Sequence, residues 1–185
     1  MRFSEIENKL YGWRVRSSFL GILASLILSK PTQGSLIVGI GLCSLGLALR
    51  AWASGHIRKG KELTTSGPYR YSRNPLYLGN LIIGLSLVLS SRSIWVLLAF
   101  TAYFVLFYPL AIKIEKEKME RVFPEEYRNY KNKVPIFFPK LKTSPHKEKK
   151  KFSFNLYWRN KEYRALGGAL LYWLLIVLKM AHFYT

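Results

Sequence analysis

The 185-residue sequence contains no aspartate and only one cysteine, Cys43. The lack of aspartate removes most metal–carboxylate sites and every catalytic scheme that depends on an aspartate. A single cysteine excludes an intrachain disulfide. The three histidines, His56, His146 and His182, are scattered and do not have the spacing of a metal-binding motif. No Walker loop and no GxGxxG sequence is present either, so we expect no metal and no classical nucleotide-binding loop.

Acidic residues are scarce, whereas basic and apolar residues are abundant. The chain has 29 Lys and Arg against 10 acidic residues, a net charge of +19 and a pI near 10.1, yet 50% of its residues are hydrophobic. This balance is not typical of a soluble globular protein. The charged residues lie between apolar runs, which themselves contain almost no charged residues. The sequence therefore predicts an all-α, polytopic membrane protein.

About five transmembrane helices are expected from the apolar runs. The expected spans are residues 17–29, 35–54, 76–90, 94–112 and 165–183. An interfacial helix at residues 1–16 is expected before them. Lys and Arg concentrate in the N-terminal segment, in the loop before residue 74 and after residue 113. The positive-inside rule therefore places these segments, and any pocket they form, on the cytoplasmic side.

Residues 63–79, LTTSGPYRYSRNPLYLG, form a polar and basic hinge that leads into an apolar helix. Gly67 and Pro68 stop any helix that arrives from upstream, and Asn74 followed by Pro75 is a typical N-cap and first-turn pair. The free N–H groups at such a helix start attract anions. Cationic and aromatic side chains surround this point: Tyr69, Arg70, Tyr71, Arg73 and Tyr77. We therefore predict a binding site at the hinge.

The apolar helices at residues 76–90 and 94–112 are joined by three residues, so we expect an antiparallel hairpin. The second helix continues into a charged segment in which Glu115 falls on the apolar face, on the same side of the membrane as the hinge. Glu115 could face a bound cation, or it could form a structural salt bridge with Arg70 or Arg73. A zwitterionic cofactor would suit the first case, with its anionic end at the helix start and its cationic end near Glu115.

Residues 134–139, VPIFFP, are bounded by prolines and predict an extended apolar strap. Residues 140–164 combine Lys and Arg with aromatic side chains, a composition found both in nucleic-acid-binding segments and in interfacial segments on anionic lipid. The flanking spans favour the lipid interpretation, and we expect no nucleic acid partner. The expected division is a membrane core at residues 1–139, with a motif region at 62–139, followed by the basic aromatic segment and a last span at 140–185.

The hinge sequence and a second block resemble a known superfamily. The second block begins at Ile112, includes Glu115 and ends with VPIFFP. Both blocks, in this order and at this separation, are similar to the integral membrane methyltransferases of the isoprenylcysteine carboxyl methyltransferase and phospholipid methyltransferase superfamily. The resemblance covers residues 62–139, which correspond to the catalytic half of such proteins.

This resemblance implies S-adenosyl-L-methionine as the cofactor, bound at the cytoplasmic ends of the helical hairpin. It also implies methyl transfer to an amphiphile that enters from the bilayer, either an isoprenylcysteine carboxylate or a phospholipid-like molecule. Membrane lipids and an amphiphilic or prenylated substrate would then be the partners. Arg73 and Glu115 would be the catalytic residues. The cofactor contacts would be Lys61, Leu63, Thr64, Tyr69, Asn74, Pro75, Leu76, Tyr77 and Glu115.

Three positions depart from the superfamily pattern. Asn74 stands in place of the usual histidine, so it can cap the helix but cannot act as a base. Lys116 stands in place of the second acid, and Ala111 occupies a position where prenylcysteine enzymes tend to carry an arginine for the substrate carboxylate. Two other functions are compatible with the sequence. One is a membrane NADPH reductase of the sterol-reductase type, and the other is a non-enzymatic protein that binds anionic lipid.

Overall fold

A computed structural model describes residues 2–58, 60, 62–140 and 150–184, and within those residues the regular structure is entirely helical. This confirms the all-α fold class. The elements are α1 (Arg2–Leu28), α2 (Gln33–Ser54), a 3₁₀ turn (Gly67–Arg70), α3 (Pro75–Ser91), α4 (Ile94–Val122), α5 (Pro124–Lys131), α6 (Phe154–Arg159) and α7 (Tyr163–Tyr184).

Within the described part of the chain, three helices are long and apolar enough to cross a membrane: α2, α4 and the Tyr163–His182 part of α7. Helix α3 is apolar but has 17 residues. At 1.5 Å per residue it rises roughly 26 Å, less than the roughly 30 Å of a bilayer's hydrocarbon region. Helix α1 carries charged side chains through its first half, which lowers its hydropathy. The expected five crossings, the cytoplasmic side of the hinge and the division at residue 139 stay predictions.

The N-terminal part of the chain differs from expectation, because the interfacial helix and the first span are one continuous helix, α1. No proline or helix-stopping pair separates the two parts, so nothing in the sequence ends the helix near residue 16. Its carboxyl end is held by α7. The Lys179 ammonium donates to the carbonyls of Leu26, Ile27 and Ser29 at 2.7, 2.8 and 2.8 Å, which satisfies acceptors that a helix end leaves open.

Helices α2 and α3 pack closely because glycines face each other where they meet. A Cβ atom added at Gly46 would lie 2.7 Å from Ile83 and 2.9 Å from the Gly79 carbonyl oxygen. Any larger residue would force the two backbones apart. Gly46 thus permits the close approach of the two helices, whereas Gly41 faces open space. Helix α7 completes this core with Tyr172, Trp173 and Ile176 around Cys43 of α2.

The hairpin of α3 and α4 is confirmed, and its turn is as short as the sequence indicates. Helix α3 ends at Ser91, Arg92 adopts a left-handed conformation with φ 51°, and α4 begins at Ile94. Helix α4 continues past Pro109 without interruption to Val122. Glu115 therefore lies near the end of α4 that is adjacent to the start of α3.

Candidate functional site

The hinge and the strap, which are distant in sequence, are joined in the structure. Tyr71, Ser72, Arg73 and Asn74 belong to the hinge, and the acceptors or donors opposite them lie at residues 135–140. The hydrogen bonds are Lys140 N–H to Tyr71 O (3.0 Å), Ser72 Oγ–H to Phe137 O (2.6 Å), Arg73 N–H to Pro135 O (2.9 Å) and Asn74 Nδ2–H to Ile136 O (2.8 Å). The strap is not helical, as predicted, but it bends at residues 134 and 136–138, so the expected extended conformation is wrong. These bonds fix the start of α3 against the second block.

Asn74 stands at the N-cap position of α3 and Pro75 at its first position, as predicted. The expected side-chain cap is wrong, because the Asn74 side chain makes no capping hydrogen bond. Its amide instead donates to the strap, while its backbone carbonyl accepts from the N–H groups of Tyr77 and Leu78, both at 3.1 Å. The strap competes successfully for this amide because its carbonyls need donors. Leu76, in the first turn, is half-buried.

Tyr69, Tyr77 and Glu115 form an acid–phenol cluster at the adjacent ends of the 3₁₀ turn, α3 and α4. The Glu115 carboxylate acts electrostatically on both hydroxyls. Burial first, and then the nearby Glu115 charge, raise the pKa of Tyr69 well above its ordinary value of 10.0. Tyr69 is therefore neutral at physiological pH and can donate a hydrogen bond.

Glu115 itself is exposed. Among the described residues, no Lys or Arg nitrogen lies within the 4.0 Å of a salt bridge to it. The second alternative, a structural salt bridge to Arg70 or Arg73, is thus not formed there. Arg73 instead packs on α5, with Nη1 donating to the Tyr127 hydroxyl at 3.2 Å and its guanidinium 5.8 Å from the Tyr127 ring centre.

Sequence reasoning missed a polar network beside this cluster. The Arg50 Nε of α2 donates to Glu162 at 2.5 Å, and its Nη1 donates to the Asn80 side chain. The charges of Arg50 and Glu162 act on Tyr69 together with that of Glu115. The sequence did contain one signal for this network. Arg50 is a cation inside an apolar run, and such residues pair with other polar groups.

Arg14 of α1 was also missed. Its Nη1 donates to the Tyr77 hydroxyl at 3.2 Å, and its guanidinium carbon lies 5.8 Å from the centre of that ring. The Tyr77 ring in turn meets the Tyr108 ring edge to face, with centroids 5.5 Å apart. Arg14 belongs to the segment predicted as an interfacial helix. Because α1 is continuous, Arg14 instead contacts the start of α3.

A cavity of about 350 Å³ lies beside residues 62–66, the segment that precedes the 3₁₀ turn. It is lined by His56, Glu62, Leu63, Thr64, Thr65, Ser66, Glu126, Asn129, Tyr130 and Lys150. The predicted cofactor contacts therefore fall into two groups. Leu63 and Thr64 line the cavity, whereas Tyr69 of the 3₁₀ turn, the first residues of α3 and Glu115 of α4 do not. Tyr130 lies between the groups, because its ring lines the cavity and its hydroxyl donates to the Tyr69 carbonyl at 2.6 Å. Lys61, another predicted contact, lies outside the described residues.

Fold and site together define the class: a helical integral membrane protein with a polar site where two sequence blocks meet at a helix start. Among the described residues, no group of three or more His, Cys or Glu side chains could hold a metal ion.

Residues 45–126 match the sequence model of the phospholipid methyltransferase family. For this part of the chain, the match confirms the resemblance to the superfamily that the two sequence blocks indicate. The matched region includes Arg50, the hinge, the α3–α4 hairpin and Glu115. It ends before the strap, α6 and α7.

Two relatives have names that refer to metal resistance. The chain is 36% identical over 140 residues to the cobalt-zinc-cadmium resistance protein CzcN of Cupriavidus metallidurans, which covers 70% of this chain and 62% of that protein. It is 37% identical over 109 residues to the nickel-cobalt-cadmium resistance protein NccN of Alcaligenes xylosoxydans xylosoxydans, covering 57% and 48%. The chain thus spans roughly half to two thirds of these relatives' length. No solved structure matches it significantly.

Proposed function

We propose that this protein is an S-adenosylmethionine-dependent methyltransferase that acts on an amphiphile taken from the membrane. The observation that carries the proposal is the contact between the two sequence blocks. Hydrogen bonds between hinge and strap hold the start of α3 in place, and the hairpin brings Glu115 to Tyr69 and Tyr77. The match of residues 45–126 to a methyltransferase family supports the same conclusion.

The residues present fit such a cofactor. A cavity of about 350 Å³ is within the size range of small-molecule pockets, and three residues with hydroxyl groups, Thr64, Thr65 and Ser66, are among those that line it. Glu115, with no basic partner among the described residues, and the tyrosine rings beside it suit a positive charge. We place the active site on the cytoplasmic side, where the positive-inside rule puts the hinge.

When bound, S-adenosylmethionine supplies an electrophilic methyl group on a sulfonium centre. The chain's part is to align the acceptor with that group, to exclude water and to stabilise the charge. Glu115 would stabilise the positive charge, and neutral Tyr69 and Tyr77 would donate hydrogen bonds or present their ring faces. Arg73 would hold the hinge in position through its hydrogen bond to the Tyr127 hydroxyl. No nucleophile of the protein is needed for a direct displacement.

The test is calorimetric titration of the detergent-purified protein with S-adenosylmethionine and with S-adenosylhomocysteine, which lacks the sulfonium charge. Glu115→Gln is expected to weaken S-adenosylmethionine binding on the order of tenfold and S-adenosylhomocysteine binding less, because only the former loses a charge–charge attraction. Glu125→Gln, an exposed acid on α5, is the matched control and should bind both ligands normally.

Absence of binding by the wild-type protein, or identical behaviour of the two variants, would refute the proposal. Thermal stabilisation by NADPH in place of these ligands would instead identify a reductase. Binding to anionic liposomes with no affinity for any of the three molecules would leave a lipid-binding protein.

A further inference from the structure

His56 is a buried histidine that lines the cavity beside residues 62–66. It follows Gly55, the C-cap of α2, and only 6% of its surface is exposed. The position precedes the hinge and lies outside both sequence blocks, so the resemblance gives it no role. Its surroundings show that the fold fixes one ring nitrogen and leaves the other to the cavity.

Three neighbours hold the His56 ring. Its Nδ1 lies 2.8 Å from the carbonyl oxygen of Trp52, one turn earlier in the chain. A carbonyl oxygen can only accept a hydrogen bond, so Nδ1 carries the hydrogen. The Trp52 and Phe152 rings meet the imidazole edge to face, with centroids 6.5 and 6.2 Å away. A Cβ atom added at Gly67 would lie 2.7 Å from the ring, so these contacts fix both the tautomer and the orientation of the imidazole.

The other ring nitrogen, Nε2, makes no hydrogen bond within the described part of the chain. It is not sealed inside the protein either. Among the described side chains, the polar atoms that are buried without a partner belong to Arg70, Arg73 and Trp173. Nε2 therefore reaches accessible space, and the cavity is the space that His56 lines. Because Nδ1 holds the hydrogen, Nε2 of the neutral ring presents a lone pair there.

A group of charged residues beside the cavity does not provide a partner for this lone pair. Lys150 donates to Glu62 in the cavity wall, and Arg58 pairs with the same carboxylate at 3.4 Å. Both cations are thus engaged with Glu62, and neither hydrogen-bonds to His56. Nε2 is an acceptor that the fold leaves available to a ligand.

We propose that His56 is a ligand-binding residue of this cavity and that its Nε2 accepts a hydrogen bond from the adenosyl group of the methyl donor. The inference rests on the proposed function, which supplies the ligand. An adenosyl group offers donors of the required kind, namely the ribose hydroxyls and the exocyclic amine. A ligand without such a donor would displace water from Nε2 and leave the buried acceptor unpaired. His56 thus contributes to ligand specificity.

Calorimetric titration of the detergent-purified full chain tests this assignment, with S-adenosylhomocysteine and methylthioadenosine as ligands. Methylthioadenosine keeps the adenosyl group but lacks the amino-acid end. His56→Asn is the informative variant, because its amide nitrogen can still donate to the Trp52 carbonyl whereas Nε2 is lost. We expect its affinity for both ligands to fall on the order of tenfold, with a Tm close to that of the wild type.

Two further variants separate binding from folding. His56→Gln can place its amide oxygen, an acceptor, near the position of Nε2, so it should lose less affinity than His56→Asn. His182→Asn is the matched control, because His182 is exposed on α7 and does not line the cavity. It should bind both ligands as the wild type does.

Chemical modification gives an independent readout. Diethyl pyrocarbonate acylates accessible nitrogens of neutral imidazoles, and the modified residues are mapped by mass spectrometry. His56 is expected to react in the free protein and to react several-fold more slowly when S-adenosylhomocysteine is bound. The reaction of His182 should not depend on the ligand. If His56→Asn does not fold, ligand protection of His56 in the wild type decides the question without a substitution.

Unchanged affinity of His56→Asn for both ligands, or modification of His56 that is absent or unaffected by the ligand, would overturn the assignment. An affinity loss confined to S-adenosylhomocysteine would overturn the adenosyl contact, because it would place His56 at the amino-acid end. Failure of the wild type to bind S-adenosylhomocysteine would refute the methyltransferase itself. Normal binding by the wild type and by His56→Asn refutes only the role of His56.

Discussion

Ser72 offers the sharpest test of how the two sequence blocks are joined. Its side chain is 1% exposed, and its hydroxyl donates to the Phe137 carbonyl at 2.6 Å while accepting from the Asn74 N–H at 3.2 Å. Ser72→Ala removes both bonds and leaves a carbonyl and an N–H without this partner. Each buried group left unsatisfied costs about 1–3 kcal/mol. Because the 3.2 Å contact is the weaker one, we expect a total loss of about 2–4 kcal/mol.

For a chain of this length, 1 kcal/mol corresponds to a Tm change of about 2–4 °C. Ser72→Ala should therefore lower Tm by about 4–16 °C in a thermal melt of the purified protein. Since the lost bonds hold the start of α3 to the strap, S-adenosylhomocysteine affinity should fall as well.

Ser44→Ala is the matched control. The Ser44 hydroxyl is exposed and bonds only to the Ile40 carbonyl one turn earlier in its own helix, so its loss should change stability by less than about 0.5 kcal/mol. If Ser72→Ala melts and binds ligand as Ser44→Ala does, the strap does not hold the site, and our account of the junction is wrong.

Three further predictions concern packing, a helix end and a titration. Gly46→Ala should destabilise the protein by about 1–3 kcal/mol in thermal melts, since its Cβ would lie 2.7 Å from a side chain of α3, whereas Gly41→Ala, which faces open space, should not. Lys179→Met should lower Tm and speed proteolysis of α1, because three carbonyls lose their donor; an unchanged α1 digest would contradict this. Because the folded-state pKa of Tyr69 is raised, its contribution to stability is complete below pH 10.0 and is lost progressively as the pH rises from 10.0 through the raised folded-state pKa. Tyrosinate absorbance in an alkaline titration should therefore show a Tyr69 transition at lower pH in Glu115→Gln than in the wild type.

The sequence was sufficient to predict the elements that depend on local signals. Three residues between two apolar runs allow only a tight hairpin, and Asn74–Pro75 marks a helix start whatever surrounds it. The absence of a helix in the proline-bounded strap was predicted for the same reason, whereas its bends were not. Its partner was not predicted, because hydrogen bonds between residues 62 positions apart leave no periodic signal in a single sequence. The Asn74 side chain shows the consequence, since it bonds to the strap and not to its own helix.

The Arg50–Glu162 pair shows a second limit of the sequence. Arg50 occurs in an apolar span and Glu162 in a strongly basic segment, so each is conspicuous in its own context. Their separation of 112 residues is closed only by the docking of α6 and α7 on α2. Arg14 became part of the site for a related reason, since charge patterning places it at the membrane surface but does not say which helix it meets. Packing of whole helices decided these contacts.

Transfer of a labelled methyl group tests the central claim most directly. Proteoliposomes that contain the purified protein and a total membrane lipid extract, supplemented with prenylated peptides, would be incubated with S-adenosylmethionine labelled in its methyl group. We predict label in the amphiphile fraction with the wild-type protein, a strong reduction with Glu115→Gln, and normal transfer with Glu125→Gln. No label above protein-free vesicles with the wild type, or equal transfer by wild type and Glu115→Gln, would contradict the account.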